Sequence, residues 1–391
     1  MSQLTERMFL AYSFHRIYEL SFLYAKDSEV MSHYSKSGTH PRFKRSLFPL
    51  VATALVAVTS TAGCAPVENP GNPALSLADS YSPKHPFGKY GVSVFLDKLK
   101  EDGIDTEYYP SGQMGNAEDL ASLISTDNID IGPASAAYLE DKLPLSSVGD
   151  LPMMTTDACV SSDSMMDLLN EDGILYKEEY EDRGLRPLWV SIIPGYEVMT
   201  SNTKVEDPAD VRGLLLRSSG GAFDVTMDTI GASAVSMSAA DTYEAMTRNT
   251  VDGTAMPFVS VPSYNLEQVA NYSTKGLNLG SVGIPYVISE RTWDGLNSQE
   301  QDKVTDAAAQ AQQSLCDGLN KEKSEAESLM KDAGVEFTPI SGEAKEEWTL
   351  ELSRAKSDWA TSLDSVGLPG TEVLTEFEKA VTKNERNRSN S

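Results

Sequence analysis

An α/β fold in two lobes is what this sequence predicts, on three observations. Short apolar segments alternate with helix-period segments over most of residues 74–290, the pattern of strand–helix units on a parallel-dominated sheet. One such pair is clear at 207–257. There residues 214–216 are a continuous leucine run, as in a strand buried on both faces, and Gly220 and Gly221 open a helix over 223–230. Finally, nothing breaks a helical pattern from Ser298 to Ala333. A rod of that length, about 50 Å at ~1.5 Å per residue, exceeds one lobe.

The elements follow in order. Residues 74–79 read as a strand and Ser80–Pro86 as its exit loop. A helix then carries Phe87, Tyr90, Val94, Phe95 and Leu99 at helical spacing. A second strand at 105–109 runs into Pro-Ser-Gly-Gln-Met-Gly (110–115) and a helix near 117–125. Residues 129–131 form a short strand with 133–138 as its exit loop. The β-prone run 188–193 ends at Pro194-Gly195, where the second lobe begins, and 285–289 is a returning strand. Ser298 with Gln301 makes a capping box for the long helix, which Gly334 stops. A strand at 335–339 and helices at 343–363 and 371–382 complete the chain. The expected division is 74–194 plus 283–320 for lobe I and 195–282 plus 321–383 for lobe II, with 384–391 a frayed tail.

The N-terminal region stands apart. Arg42, Lys44 and Arg45 precede an apolar run at 47–58, followed by Thr61-Ala-Gly-Cys64. A basic flank, a short apolar core and small residues before a break make an export signal, and the run is shorter than the ~20 residues that spanning needs. Residues 1–63 are therefore read as a leader, with Met31 an alternative start, and 64–73, with three prolines, as a tether. Thr-Ala-Gly-Cys resembles a bacterial lipobox, with Thr61 in place of the usual apolar residue, which implies lipidation of Cys64 and a lipid anchor to the membrane.

Composition excludes several functions. The chain carries a net −26, and residues 1–63 contain seven Lys or Arg against four Asp or Glu, so the remainder carries about −29. Nucleic acid, which needs a basic surface, is excluded as a partner. Beyond Cys64 only Cys159, Cys316 and His85 remain of the cysteines and histidines, so no multi-His/Cys zinc site can be assembled. There is no G-x-S-x-G elbow, P-loop or G-x-G-x-x-G. No metal or cofactor is implied. Cys159 and Cys316 are candidates for a disulfide in an oxidising compartment; two buried free thiols are the alternative.

Arg217 is the leading site residue. A guanidinium at a strand end beside a glycine-started helix N-terminus suits an anion, and open α/β sheets bind ligands at that edge. The stretch around it, Asp210–Arg217, Gly231–Met237, Asp241–Met246 and Val251–Gly253, resembles the substrate-binding proteins of TRAP (tripartite ATP-independent periplasmic) transporters, the DctP-like family. Weaker similarity extends over about 74–334 and includes the Pro-Ser-Gly-Gln-Met-Gly and Asn-Ile-Asp-Ile segments.

The resemblance implies a two-lobed, periplasmic-binding-protein-like (type II-like) fold with a hinge and a lobe-spanning long helix. It also implies a monomeric, extracytoplasmic, non-enzymatic receptor that captures a small organic acid and delivers it to a TRAP membrane permease. It places the family's carboxylate-binding arginine at Arg217. Candidates by position are Ser80, Tyr81 and His85 in the first loop, Asn116, Ser135 and Tyr138 elsewhere in lobe I, and Tyr196, Glu197, Ala239, Met256 and Phe258 from lobe II. In sialic-acid-type members an arginine stands at the place of Glu197, an asparagine at Met256 and a phenylalanine at Ala239, which argues against sialic acid and for a smaller or more apolar acid. Core packing is the alternative for Met256 and Phe258, loop capping for His85, and a solvated carboxylate for Glu197. A sensor lipoprotein with the same ligand, or a hydrolase, are the rival functions.

Overall fold

The computed structural model describes residues 74–139 and 141–390. The leader, Cys64 and the tether lie outside the described residues. Among the latter the strands are β1 (Leu75–Ala78), β2 (Thr106–Tyr109), β3 (Ile131–Pro133), β4 (Leu185–Pro194), β5 (Tyr196–Thr200), β6 (Leu215–Ser218), β7 (Ser233–Ser236), β8 (Gly253–Pro257), β9 (Tyr272–Lys275), β10 (Ser281–Ser289) and β11 (Glu336–Pro339). They form two sheets, ordered β2-β1-β3-β10-β4 and β11-β9-β5-β8-β6-β7, one per lobe. The fold is the expected two-lobed α/β arrangement.

Among the described residues five strand pairings are parallel and four antiparallel, so the sheets are mixed with parallel pairing only slightly ahead. β1 runs parallel to β2 and β3, and β6 parallel to β7 and β8. β10 is antiparallel to β3 and β4, and β5 to β8 and β9. The odd strands are those where the chain passes between lobes, β4 to β5 through Gly195 and β9 to β10. A strand arriving from the other lobe runs against those laid down by local strand–helix–strand units. Gly195 has φ +78, a left-handed turn glycine allows without strain.

The long helix spans Ser298–Asp332. Its capping box sits one residue earlier than expected: Asn297 accepts from the N–H groups of Gln299 and Glu300 at 3.0 and 3.1 Å, and Glu300 accepts from Asn297 N–H at 2.9 Å. Gln301 instead donates to the carbonyl of Trp293. Val304, Ala308, Ala311, Leu315 and Leu319 share a core with Phe95 and Trp189, whereas Ala326 and Met330 pack with Met199 and Met256 of the other lobe. Gly318 lets the helix meet lobe I closely, since a Cβ there would lie 2.5 Å from ring carbons of Tyr90. Cys159, in helix Ala158–Leu169, is bonded to Cys316 of the long helix, with Cα atoms 4.8 Å apart. The disulfide alternative is therefore the one the structure takes.

The C-terminal segments differ from the expected division. Helix Gly342–Ser365 reaches both lobes: Trp348 donates from Nε1 to the carbonyl of Glu206 at 3.3 Å, and Trp359 from Nε1 to Ser147 Oγ at 2.8 Å. Helix Gly370–Ser389 buries Val373, Phe377 and Val381 against lobe I, not lobe II. Residues 384–389, expected to fray, continue that helix. Asn384 donates to Ser164 Oγ and Asp167, and Arg388 pairs with Asp157 and Asp317, so local polarity was overruled by docking onto helix Ala158–Leu169.

Candidate ligand-binding site

The site is built on strand exits. Arg217 lies within β6, one residue inside the strand rather than after it, and Leu215 beside it is 42% exposed, so the leucine run is not buried on both faces. Helix Ala222–Ile230 follows with Gly221 as N-cap. Arg217 is itself only 1% exposed. Its Nε donates to the carbonyl of Met237 at 3.0 Å. No carboxylate among the described residues lies within ion-pair distance of it.

Two spaces that share part of their lining lie between the lobes. An open cleft of about 740 Å³ is lined by Ser80, Tyr81, His85, Asn116, Tyr138 and Ala239 of the expected residues. Behind it a chamber of about 20 Å³ is lined by Tyr81, His85, Tyr138, Tyr196, Arg217, Ala239 and Met256. Tyr81, His85, Tyr138, Ala239 and Tyr264 line both and so form the wall between them. The chamber has room for about one water molecule. Both lobes contribute to this wall, Tyr81, His85 and Tyr138 from lobe I and Ala239 and Tyr264 from lobe II.

Three expected residues are elsewhere. Glu197 is buried and turned into the β9–β10 connection, accepting from Thr274 Oγ1 at 2.7 Å and from the N–H groups of Gly276 and Leu277 at 2.9 and 3.2 Å. It is neither a solvated carboxylate nor a wall of the cleft; it ties a lobe-crossing segment together. Burial raises its pKa, opposed by the Thr274 bond and those backbone donors. Phe258 packs edge-on to Phe337 in the lobe II core, as its core alternative has it. Ser135 is buried and donates to the carbonyl of Gly283. Conversely, Tyr264 and Ser219 line the chamber and were missed by the sequence reading. Tyr264 ends the short helix Phe258–Tyr264 after β8, and an aromatic following a strand exit was the available signal. For Ser219 the signal was its place two residues beyond Arg217.

The chamber is aromatic and disfavours charge except at Arg217. Tyr81 stacks near His85 and meets Phe87 edge-on, with centroids 4.7 Å apart in each case. Burial lowers the His85 pKa to about 3, and its Nδ1 accepts from Phe87 N–H at 3.2 Å, so the imidazole is neutral and caps its loop. Burial likewise pushes the phenols of Tyr196 and Tyr264 up, with Arg217 opposing the shift. The hydroxyls of Tyr81, Tyr138, Tyr196 and Tyr264 bond to none of the described residues.

Asp150 supports the lobe-crossing strand from behind. Its Oδ1 accepts from Gly283 N–H at 2.7 Å while Oδ2 is buried without a partner. Burial raises its pKa from 3.8 to about 8, opposed by the Gly283 bond. In the unfolded chain the group ionises near pH 4, so the folded state holds the extra proton between about pH 4 and 8 and loses this stabilisation as pH rises through that window. Asp150→Asn keeps the acceptor and removes the charge. It should raise stability at about pH 8 by at least ~1 kcal/mol and flatten the pH dependence of urea unfolding. An equal loss of stability at pH 5 and pH 8 would show that Asp150 acts otherwise.

A two-lobed α/β molecule with a buried, unpaired arginine at the interlobe strand edge is, as a class, a solute receptor. The sequence profile of the bacterial extracellular solute-binding proteins, family 7 (DctP), matches residues 77–361. The chain belongs to that family. It is 25% identical over 303 residues to the C4-dicarboxylate-binding periplasmic protein DctP of Rhodobacter capsulatus, covering 75% of this chain and 88% of that protein. Among solved structures it resembles a TRAP solute-binding protein from Rhodoferax ferrireducens in complex with copurified benzoate, at TM-score 0.74 and 18% identity over 81% of this chain and all of that one. It also resembles a marine-metagenome TRAP solute-binding protein specific for aromatic acid ligands, in complex with metahydroxyphenylacetate. That match has TM-score 0.73 and 20% identity, over 80% of this chain and 99% of that one. Among the described residues no helix is long and apolar enough to cross a membrane.

Proposed function

We propose that this protein captures an aromatic monocarboxylate between its lobes outside the membrane and hands it to a TRAP permease, with no chemistry on the ligand. The observation that carries the reading is Arg217, a buried guanidinium with no carboxylate partner among the described residues, set at the end of an aromatic chamber. A buried cation left unpaired is costly, and a ligand carboxylate relieves that cost. Lobe closure around the ligand then gives the permease a distinct shape to read. A lipid on Cys64 would hold the receptor close to that permease at high effective concentration.

The charge of the lining narrows the ligand. Arg217 is the only Lys or Arg among the described residues lining the two spaces, and the outer cleft carries Glu118 and Asp241. A second carboxylate on the ligand would meet those acids rather than a cation. This separates the chain from relatives named for C4-dicarboxylates and supports the aromatic acids bound by its structural neighbours. Tyr81, His85, Phe87, Tyr196 and Tyr264 offer ring faces and edges to a planar body. Thermal unfolding with benzoate, 3-hydroxybenzoate, succinate and sialic acid tests this. The aromatic acids should raise the midpoint, by an amount equivalent to about 2.7 kcal/mol at a hundredfold excess over Kd. Preferential stabilisation by succinate would overturn the monocarboxylate reading.

A further inference from the structure

Ser219 is a buried hydroxyl without a partner among the described residues, in the chamber that Arg217 lines. It is 3% exposed, its Oγ bonds to nothing among the described residues, and it lines the same chamber as Arg217. Buried polar atoms are otherwise nearly always paired, so an orphan at a binding site points to a bond made elsewhere in the protein's cycle. Its neighbours show that the orphaning is local. Ser218 bonds the Asp224 carboxylate and accepts from Gly220 N–H at 3.2 Å. Arg217 and Ser219 both line the chamber, whereas Ser218 between them does not and is turned to Asp224.

Arg217 cannot satisfy a carboxylate with its whole edge. A side-on fork uses Nε and one Nη, but Nε is already given to the Met237 carbonyl. The guanidinium can therefore offer its Nη groups only, and a carboxylate has about four acceptor sites on its two oxygens. We propose that Ser219 Oγ–H is the second donor to the ligand carboxylate, completing with the Arg217 Nη groups a two-residue anion clasp at the end of β6. This rests on the reading of the cleft as a carboxylate site, though not on the aromatic nature of the ligand. The clasp requires a carboxylate: a primary amide or an alcohol of the same shape leaves either Arg217 or Ser219 poorly used.

The test is calorimetric titration of wild type, Ser219→Ala and Ser219→Thr with benzoate and benzamide, and with succinate should the wild type prefer it. Ser219→Ala should weaken carboxylate binding on the order of tenfold, as loss of a hydrogen bond to a charged group does, while Ser219→Thr, which keeps the hydroxyl, should retain more of the affinity. The unliganded melting temperature of Ser219→Ala should be unchanged or higher, because the variant removes an unsatisfied buried group; a merely structural serine would lower it. Unaltered carboxylate affinity in Ser219→Ala, or an equal loss with and without ligand in stability, would overturn the clasp. Preference for succinate with a Ser219 effect would overturn only the aromatic reading. Failure of the wild type to bind any of these carboxylates would overturn both.

Discussion

Replacing Arg217 by alanine should weaken ligand binding by 2–5 kcal/mol, roughly 30-fold to several-thousand-fold, the range typical for one partner of a buried, hydrogen-bonded charge pair. Arg217→Lys should fare little better. Lysine presents a point charge on a flexible stem and cannot both hold the Met237 carbonyl and present paired donors to a carboxylate. The unliganded protein should tolerate either change, since Arg217 has no carboxylate partner to abandon among the described residues. Titration with the carboxylate that best stabilises the wild type, alongside circular dichroism of each variant, checks this. Wild-type affinity in Arg217→Lys would show that the guanidinium is not the anchor.

Reducing the Cys159–Cys316 bond, or replacing Cys316 by serine, should produce a large loss of stability. The bond closes a loop with a sequence separation of 157, for which chain entropy gives an upper figure of about 5 kcal/mol, with delivered values often smaller. Carboxylate affinity should change little, because both sulfurs belong to lobe I and its share of the long helix, away from the wall residues. Melting curves with and without reductant read the first effect and titration the second. Recovery of two free thiols from denatured, unreduced protein, with the Cys64 side chain removed, would refute the bond.

Much of this architecture was legible because it depends on local pattern. The strand exits at Ser80, Tyr138 and Arg217, the glycine-opened helix and the long helix follow from apolar spacing and turn residues. What the pattern could not give was set by distant contacts. Glu197 reads as a cleft residue by its position at the start of β5, but its carboxylate is captured by backbone donors some eighty residues away. Residues 384–389 read as frayed because they are polar and charged, but Asn384 and Arg388 meet partners on lobe I. Antiparallel pairing in both sheets arises from the chain crossing between lobes, which spacing within a segment does not encode. The division of the ligand space into an outer cleft and an inner chamber depends on which aromatic rings from the two lobes meet, and Tyr264 enters only through that meeting.

Helix Gly342–Ser365 constrains how such a receptor can move. Its two indoles are fastened to opposite lobes, Trp348 at Glu206 and Trp359 at Ser147. Eleven residues of one helix separate them, about 16 Å of rigid rod. Two bodies held by the same rod lose contacts if they draw apart at that place and keep them if they swing about it. A swing of that kind would part the wall of Tyr81, His85, Tyr138, Ala239 and Tyr264 like a book held at its spine. The entrance would widen much more than the region beside the rod, so a modest angular change could expose Arg217 without unseating the tryptophans.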